Sequence, residues 1–375
     1  SRGIEITSVD VLMVILWRAL PADRDDLRPK WAALWLPRLL YMAAVLASFS
    51  ATPDVLKSMY GLWKLARMYV FFCVLCGALR EPAILTATLR GLGAGVLWQG
   101  GLALYQKYAL HAVRVMAAQS HPNSLAMIVN FIAPIALAIT LAGLGKRSTG
   151  LVVGVAAMCD VFSLCRGGMM MFVLASTFTV AASIARKPTP RKFKLVAIGV
   201  LGGAIAVAKA ASTIIDRFLH APKESEQARV LFNLAAKAMA NDHTFGVGIN
   251  MYSWTLGHDG YAARFAIDPG DRTGIAHHIY WLTAAETGYV GVTTYILLLA
   301  AVILTAARSM RLKDGRGDIA VGLVAGFAVT YIQGTAEWIA RQTNQSYVFW
   351  ILAAVAVALR TMPPIVPVFR SGAPR

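Results

Sequence analysis

The chain has 375 residues, of which 57% are hydrophobic and only 15% are charged, and its mean hydropathy is +0.59. This composition excludes a soluble globular domain and is typical of a helical protein that crosses a membrane several times. The net charge of +17 comes from 36 Lys and Arg residues against 19 Asp and Glu residues. Because most of this excess lies in short segments between apolar runs, we interpret it as cytoplasmic loop charge and not as a nucleic-acid surface.

Eleven apolar runs approach the length of about 20 residues that a membrane-spanning helix needs. In chain order they are 7–20, 31–50, 59–79, 88–105, 124–144, 150–164, 168–185, 193–209, 289–307, 319–336 and 346–360. The run 150–164 is short, and we expect it to form a tight hairpin with 168–185, with Gly167 and Gly168 permitting the turn. Because the chain begins with Ser1 and not Met, we also expect an N-terminal segment to have been removed. The sequence therefore predicts an all-α, polytopic membrane protein with about 11–12 transmembrane helices.

The loop charges orient these spans. One side carries the basic residues, which the positive-inside rule assigns to the cytoplasm: Arg24, Arg28, Lys30, Arg80, Arg90, Lys146, Arg147, the run 186–194, Arg308, Arg311, Lys313, Arg316, Arg370 and Arg375. The other side carries 51–58, 106–123, 165–167, 210–276 and 337–345, with all seven histidines: His111, His121, His220, His243, His258, His277 and His278.

Loop 210–276 is unusually long for a connection in a compact protein, and long loops are often functional. Its segment from Glu224 to Met239 has helical spacing, so we predict a small helical subdomain on the outer side. The chain then divides into N-terminal transmembrane helices over 1–209, the loop subdomain over 210–276, and a re-entry segment with C-terminal helices over 277–375.

Three cations lie where their charge needs an explanation. Lys64 and Arg67 are in the outer half of the run 59–79, and a cation near the middle of a bilayer costs about 2.5–3.5 kcal/mol. We expect them to face a polar cavity or an anion, the alternative being that they extend to the interface. Arg166, in the turn 165–167, either lines the same cavity or pairs with an acid such as Asp160.

Two further arginines are candidate anion ligands. Arg114 precedes His121 and the sequence Pro-Asn-Ser, where we predict the start of a helix. Those residues are ordinary cap signals, but a helix N-terminus also binds phosphate. Arg229 lies on the predicted loop helix, where the residues alone favour a solvated side chain. The Gly-Val-Gly sequence at 246–248 is more typical of a turn than of a phosphate cradle.

His277 and His278 open an amphipathic segment that ends at Gly288, with Gly291 completing a Gly-x-x-Gly break. A neutral imidazole can accept a proton from a sugar hydroxyl, the alternative being an interfacial histidine that only donates and accepts hydrogen bonds. Glu286 is a second candidate base, or the residue that orients a histidine. We expect no metal, since the spacing of Asp, Glu and His matches no catalytic motif and the outer cations would repel a divalent ion.

The four cysteines, Cys73, Cys76, Cys159 and Cys165, all lie in or beside apolar runs, so we interpret them as small hydrophobic residues and not as a redox or zinc site.

Several cations and a candidate base on one non-cytoplasmic face suggest a particular reaction. The cations would hold a diphosphate as it leaves, and the base would activate an incoming hydroxyl. That is glycosyl transfer from a polyprenyl-diphosphate donor.

The chain resembles the bacterial O-antigen ligases, whose superfamily also contains O-antigen polymerases and protein O-oligosaccharyltransferases. The likeness covers nearly the whole chain and lies in 1–7, 104–106, 121–126, 165–167, 245–248 and the His277 motif. The family motif is His, usually Asn, Ser or Gln, nine residues, Gly, two residues, and Gly, Thr or Tyr. His277, Gly288 and Gly291 fit it, whereas His278 departs from it and stays an alternative as the catalytic histidine.

The resemblance implies a GT-C-like, metal-independent, inverting transferase that needs no cofactor and acts in lipopolysaccharide maturation. It would move O-antigen polysaccharide from undecaprenyl diphosphate to lipid A–core at the periplasmic face of the bacterial inner membrane, in contact with membrane lipids. His277 would be the base, with the diphosphate bound by Arg229, Arg114 and Lys64. Arg166, Arg67, His121 and Glu286 would support the site.

Two alternatives remain open at this point. An O-antigen polymerase or a protein O-oligosaccharyltransferase would use a similar site with another acceptor. A transporter of lipid-linked glycan would need access from both faces, but the embedded cations lie near the outer face without a matching cytoplasmic set or repeat symmetry.

Overall fold

The computed structural model describes residues 6–21, 23–146, 148–219, 223–338 and 341–365. Arg147, His220, Arg370, Arg375 and most of the motif 1–7 lie outside these ranges. The described residues form helices and no strands, which confirms the all-α prediction. The helices are α1 (Ser8–Ala19), α2 (Trp35–Ala47), α3 (Val55–Ala78), α4 (Pro82–Leu104), α5 (Pro122–Ala142), α6 (Ser148–Ser163), α7 (Arg166–Arg186), α8 (Pro190–Leu219), α9 (Lys223–Asp242), α10 (Tyr252–His258), α11 (Tyr261–Arg264), α12 (Ile279–Ser309), α13 (Gly315–Gln333) and α14 (Thr343–Ala358).

Five of these helices are long and apolar enough to cross a membrane. They are α3, α5, α7, α12 and α13, and shorter apolar helices occupy Trp35–Ala51, Ser148–Ser163 and Thr343–Ala358. Every apolar run predicted from the sequence corresponds to a helix. The chain therefore has the helical and apolar character of a polytopic membrane protein, while the total of about 11–12 spans stays a prediction.

The segment expected to be a long loop is largely helical. α8 continues beyond residue 209 to Leu219, because a helix can extend past its apolar stretch wherever the residues keep helix propensity. The helix predicted from Glu224 to Met239 is confirmed as α9, Lys223–Asp242. Two short helices, α10 and α11, follow it before the chain reaches His277.

The described chain divides into two compact units. The first comprises Ser1–Leu79, Pro222–Val302 and Gly334–Val355, and the second comprises Arg80–Ala221, Ile303–Gln333 and Ala356–Arg375. In the first unit, a hydrophobic core joins α9–α11 to the beginning of α12. Its fully buried members include Met239, Met251, Tyr252, Leu256 and Leu282. This packing fixes the start of α12, where His277 and His278 lie.

Gly288 interrupts α12 with backbone angles that are not helical, φ 70° and ψ −179°. The carbonyls of Ala285 and Glu286 consequently accept hydrogen bonds from another segment: Val247 N donates to Ala285 O at 2.9 Å and Gly248 N to Glu286 O at 3.1 Å. A buried carbonyl at a helix end needs such a partner. The helix break predicted at Gly288 and the turn predicted at 246–248 are both confirmed, and they hold each other in place.

The second unit is built around α5, against which α6, α7 and α13 pack. α6 and α7 are joined by Leu164 and Cys165 alone, as the predicted tight connection requires. The prediction that Gly167 and Gly168 form this turn is wrong, because both lie in the first turn of α7 and Leu164 takes the positive φ of 50°. Gly168 instead permits close packing, since a Cβ there would lie 2.5 Å from that of Ala126 on α5.

Candidate functional site

The two histidines have different environments at the start of α12. His278 caps the helix: its carbonyl accepts from Leu282 N at 2.9 Å and its ring Nδ1 accepts from Trp281 N at 3.3 Å. Burial lowers the pKa of His278, which favours the neutral ring that this acceptor role requires. The next residue, Ile279, donates its N–H to Gly334 O at 2.9 Å, so the connection between α13 and α14 is bonded to the start of α12.

His277 lies beside a carboxylate that also holds an arginine. Nδ1 of His277 is 3.5 Å from Oε2 of Glu337, and Nη1 of Arg229 is 3.2 Å from Oε1 of the same residue. The Glu337 side chain is only 7% exposed, whereas those of His277 and Arg229 are 24% and 33% exposed. A ligand can therefore reach the imidazole and the guanidinium, while the carboxylate stays behind them.

A second polar cluster contains Glu286, Arg341 and Lys64. Arg341 forms an ion pair with Glu286, and Lys64 Nζ donates to the backbone carbonyl of Arg341. Glu286 is 3% exposed and also accepts from Tyr252 N at 3.4 Å. Its carboxylate is thus used to hold Arg341, and the carboxylate next to His277 is Glu337 instead.

Arg67 is buried and forms an internal ion pair. Its Nη1 is 3.0 Å from Oδ2 of Asp10, whose Oδ1 accepts from the Tyr347 hydroxyl at 2.7 Å. This contact offsets the charge inside the first unit, so Arg67 neither reaches the interface nor needs an exogenous anion. Asp10 is the partner that the sequence interpretation did not consider.

Arg114, His121 and Arg166 belong to the second unit. α5 begins at Pro122, as predicted, and His121 is its cap, with ring Nδ1 accepting from Asn123 N at 3.1 Å. Arg114 donates to Asn123 Oδ1 at 3.0 Å and to Ser163 O at 3.2 Å, so it does lie at this helix end. Arg166 is the first residue of α7 and is partly exposed, while Asp160 accepts from Asn130 Nδ2 at 3.4 Å.

The structure therefore brings together two sets of predicted residues within the first unit. His277 and Arg229 meet at Glu337, and Lys64 and Glu286 meet at Arg341. Glu337 and Arg341 were both missed as site residues. The available signal was that the segment 337–345 places charged residues between two apolar runs, on the same predicted side as the histidines.

Replacing His278 by Asn is expected to preserve the helix cap, because a short amide oxygen is a preferred acceptor at this position. Replacing it by Ala should lower the free energy of unfolding by about 0.5–2 kcal/mol.

The cap also makes stability depend on pH. The lowered pKa of His278 means that its ring binds a proton more readily in the unfolded chain than in the folded protein. The wild-type protein should therefore lose stability as pH falls below about 6.5, and His278→Asn should lose less. Thermal melting of the purified proteins between pH 7.5 and 5 measures the difference. An equal pH dependence in both proteins would contradict the capping role.

The described residues offer no cluster that could hold a metal ion: in those ranges no three His, Cys, Asp or Glu side chains converge. The four cysteines are free and buried, which agrees with their interpretation as small hydrophobic residues. Cys73 additionally accepts a hydrogen bond from Arg38 Nη1 at 2.9 Å.

No model of a known protein family matches this chain, and no curated protein matches it. The resemblance to O-antigen ligases accordingly rests on the motifs in the sequence.

Proposed function

We propose that the protein is a membrane glycosyltransferase that moves O-antigen polysaccharide from undecaprenyl diphosphate to lipid A–core, at the periplasmic face of the inner membrane. The observation that carries this proposal is the meeting of His277 and Arg229 at Glu337. A base that a ligand can reach and an arginine that a ligand can reach lie on one carboxylate, in a chain with five candidate membrane-spanning helices. The resemblance to O-antigen ligases supports the choice of donor and acceptor.

The reaction needs two functions that these residues can provide. His277 accepts the proton of the acceptor hydroxyl. At the same time the oxygen of that hydroxyl forms a bond to the anomeric carbon of the donor glycan. The bond from that carbon to the diphosphate oxygen breaks from the opposite face, which inverts the configuration. Arg229 offsets the charge on the departing diphosphate through charge-assisted hydrogen bonds.

Lys64 is proposed as a further diphosphate ligand, and the resemblance to O-antigen ligases implies the same role for Arg114. Lys64 belongs to the same unit as His277 and is held by the backbone of Arg341, which itself pairs with Glu286. Arg114 lies at the N-terminus of α5, where backbone N–H groups and the helix dipole favour an anion. Arg67 is left out of the binding role because Asp10 already neutralises it.

Arg229→Ala is expected to weaken donor binding by about 10- to 100-fold, because a hydrogen bond to a charged group contributes about 1.5–3 kcal/mol. Arg229→Lys should restore only part of this affinity, since an ammonium cannot offer the two parallel donors of a guanidinium. Donor affinity of the purified variants measures both effects. Arg264→Ala is the matched control, because Arg264 forms an exposed ion pair with Asp242 on the same unit. Wild-type affinity in Arg229→Ala would remove this residue from the donor site.

The acceptor decides between the proposed ligase and the alternatives. Purified protein would be incubated with undecaprenyl-diphosphate glycan, lipid A–core and EDTA, and the products separated. Modified lipid A–core supports the ligase, longer lipid-linked glycan would identify a polymerase, and glycosylated protein in a reaction with added acceptor protein would identify an oligosaccharyltransferase. Glycan movement across proteoliposomes without a new glycosidic bond would identify a transporter, and would overturn the proposal.

A further inference from the structure

We propose that Glu337 couples donor binding to activation of the base, by being shared between Arg229 and His277. It would act as a positioning residue, since its side chain is buried beside the more exposed Arg229 and His277. This inference rests on the proposed transferase function and deepens it. Its basis is that the same buried carboxylate has the arginine on one oxygen and the imidazole on the other.

The burial of Glu337 and its distances to Arg229 and His277 decide how its negative charge is divided between them. Glu337 is 7% exposed, and a carboxylate removed from water needs compensating partners. Arg229 Nη1 approaches Oε1 at 3.2 Å, which is nearer than the 3.5 Å between His277 Nδ1 and Oε2. The cation therefore offsets much of the negative charge that would otherwise act on the imidazole.

A bound diphosphate would change how far Arg229 offsets the charge of Glu337. It carries more negative charge than a single carboxylate and offers oxygens that match the guanidinium fork, so it competes with Glu337 for Arg229. As Arg229 turns to the donor, it offsets less of the negative charge of Glu337, and more of that charge acts on His277. The carboxylate then holds the proton on Nδ1, leaves Nε2 as the acceptor and stabilises the imidazolium that forms when the hydroxyl loses its proton.

The neighbouring groups do not replace Glu337 in this role. The carboxylate of Glu337 lies within ion-pair distance of both His277 and Arg229. The carboxylate of Glu286 is paired with Arg341. His278 directs its Nδ1 to the backbone of α12, so it does not share the proton of its neighbour.

Glu337→Gln separates this role from a structural one, because it should move two constants in opposite directions. The kcat of glycan transfer should fall by about 10- to 100-fold, part of the 10²–10⁴ that a general base provides. Donor affinity should rise several-fold, because Arg229 no longer has a competing carboxylate. Glu337→Asp should recover part of kcat. Asp242→Asn, which alters an exposed carboxylate–arginine pair on the same unit, should leave both constants unchanged.

The outcomes separate the two proposals. Tighter binding of undecaprenyl diphosphate together with reduced kcat would support the coupling. Weaker or unchanged binding in folded Glu337→Gln, or an unchanged kcat, would overturn it even if the wild-type protein is an active transferase. Undecaprenyl diphosphate that binds wild-type protein without any glycan transfer would instead count against the proposed function.

Discussion

Replacement of His277 by Ala is expected to slow glycan transfer by about 10²- to 10⁴-fold, which is the usual contribution of a general base. Nδ1 of His277 lies by Glu337 while 24% of the side chain stays exposed, an arrangement that fits proton acceptance from a bound hydroxyl. Donor affinity should change little, because Arg229 remains. Single-turnover transfer to lipid A–core at saturating donor measures the chemical step directly.

The matched control is His278→Asn. Both histidines are adjacent in the chain, but His278 is engaged with the backbone N–H of Trp281, a role that Asn can take over. We therefore expect His278→Asn to keep nearly wild-type transfer. If the rate instead survives in His277→Ala and is lost in His278→Asn, the base is assigned to the wrong histidine.

The capping role of His278 bears on its difference from the O-antigen ligase motif that the sequence resembles. That motif usually has Asn, Ser or Gln at the position of His278, and two of these, Asn and Ser, are preferred helix caps. The neutral ring of His278 accepts from the third N–H of α12 in the same way. A histidine here can therefore fill a local structural role, which a count of residues in a motif cannot distinguish from a catalytic one.

The local features of the fold could be predicted from the sequence because their causes are local. Apolar runs of sufficient length became helices, the Pro-Asn-Ser sequence after His121 began α5, and Gly288 broke α12. The predicted positions of the helix ends were less accurate. α8 extends past its apolar run, and the turn between α6 and α7 uses Leu164 rather than the glycines that follow.

The pairing of charges could not be predicted in the same way. Arg67 and Asp10 lie on different helices, and Glu337 is far in sequence from both Arg229 and His277. Hydropathy explains why a cation in an apolar run needs a partner, but only the packing of the helices decides whether that partner is an internal acid or a ligand. Both Arg67 and Arg229 pair with an internal acid, but Arg67 is buried, whereas Arg229 keeps a third of its side chain exposed to a ligand.

Gly288→Ala is expected to destabilise the protein by about 2–6 kcal/mol, from backbone strain and overpacking together. At φ 70° and ψ −179° the backbone is in a region that is accessible essentially only to glycine. An added Cβ would also lie 2.1 Å from the carbonyl oxygen of Thr244. Thr244 precedes the segment 246–248, which is hydrogen-bonded to the carbonyls of Ala285 and Glu286. We expect a marked fall in the melting temperature, or failure to obtain folded protein.

Two other glycines separate the causes of this effect. Gly260→Ala retains a positive φ of 79° without any atom within 4 Å of the new Cβ, so it should show the milder cost of strain alone, about 1–2 kcal/mol. Gly154→Ala, in open space on α6, should be neutral or slightly stabilising. Equal melting temperatures of Gly288→Ala and Gly154→Ala would mean that α12 is continuous at Gly288.

The break at Gly288 bears on the proposed function through His277. It frees the carbonyls of Ala285 and Glu286 to accept hydrogen bonds from the turn at 246–248. That turn holds the first half of α12 in place, and with it His277. Gly288→Ala should thus lose transfer together with folding, whereas His277→Ala should lose transfer alone.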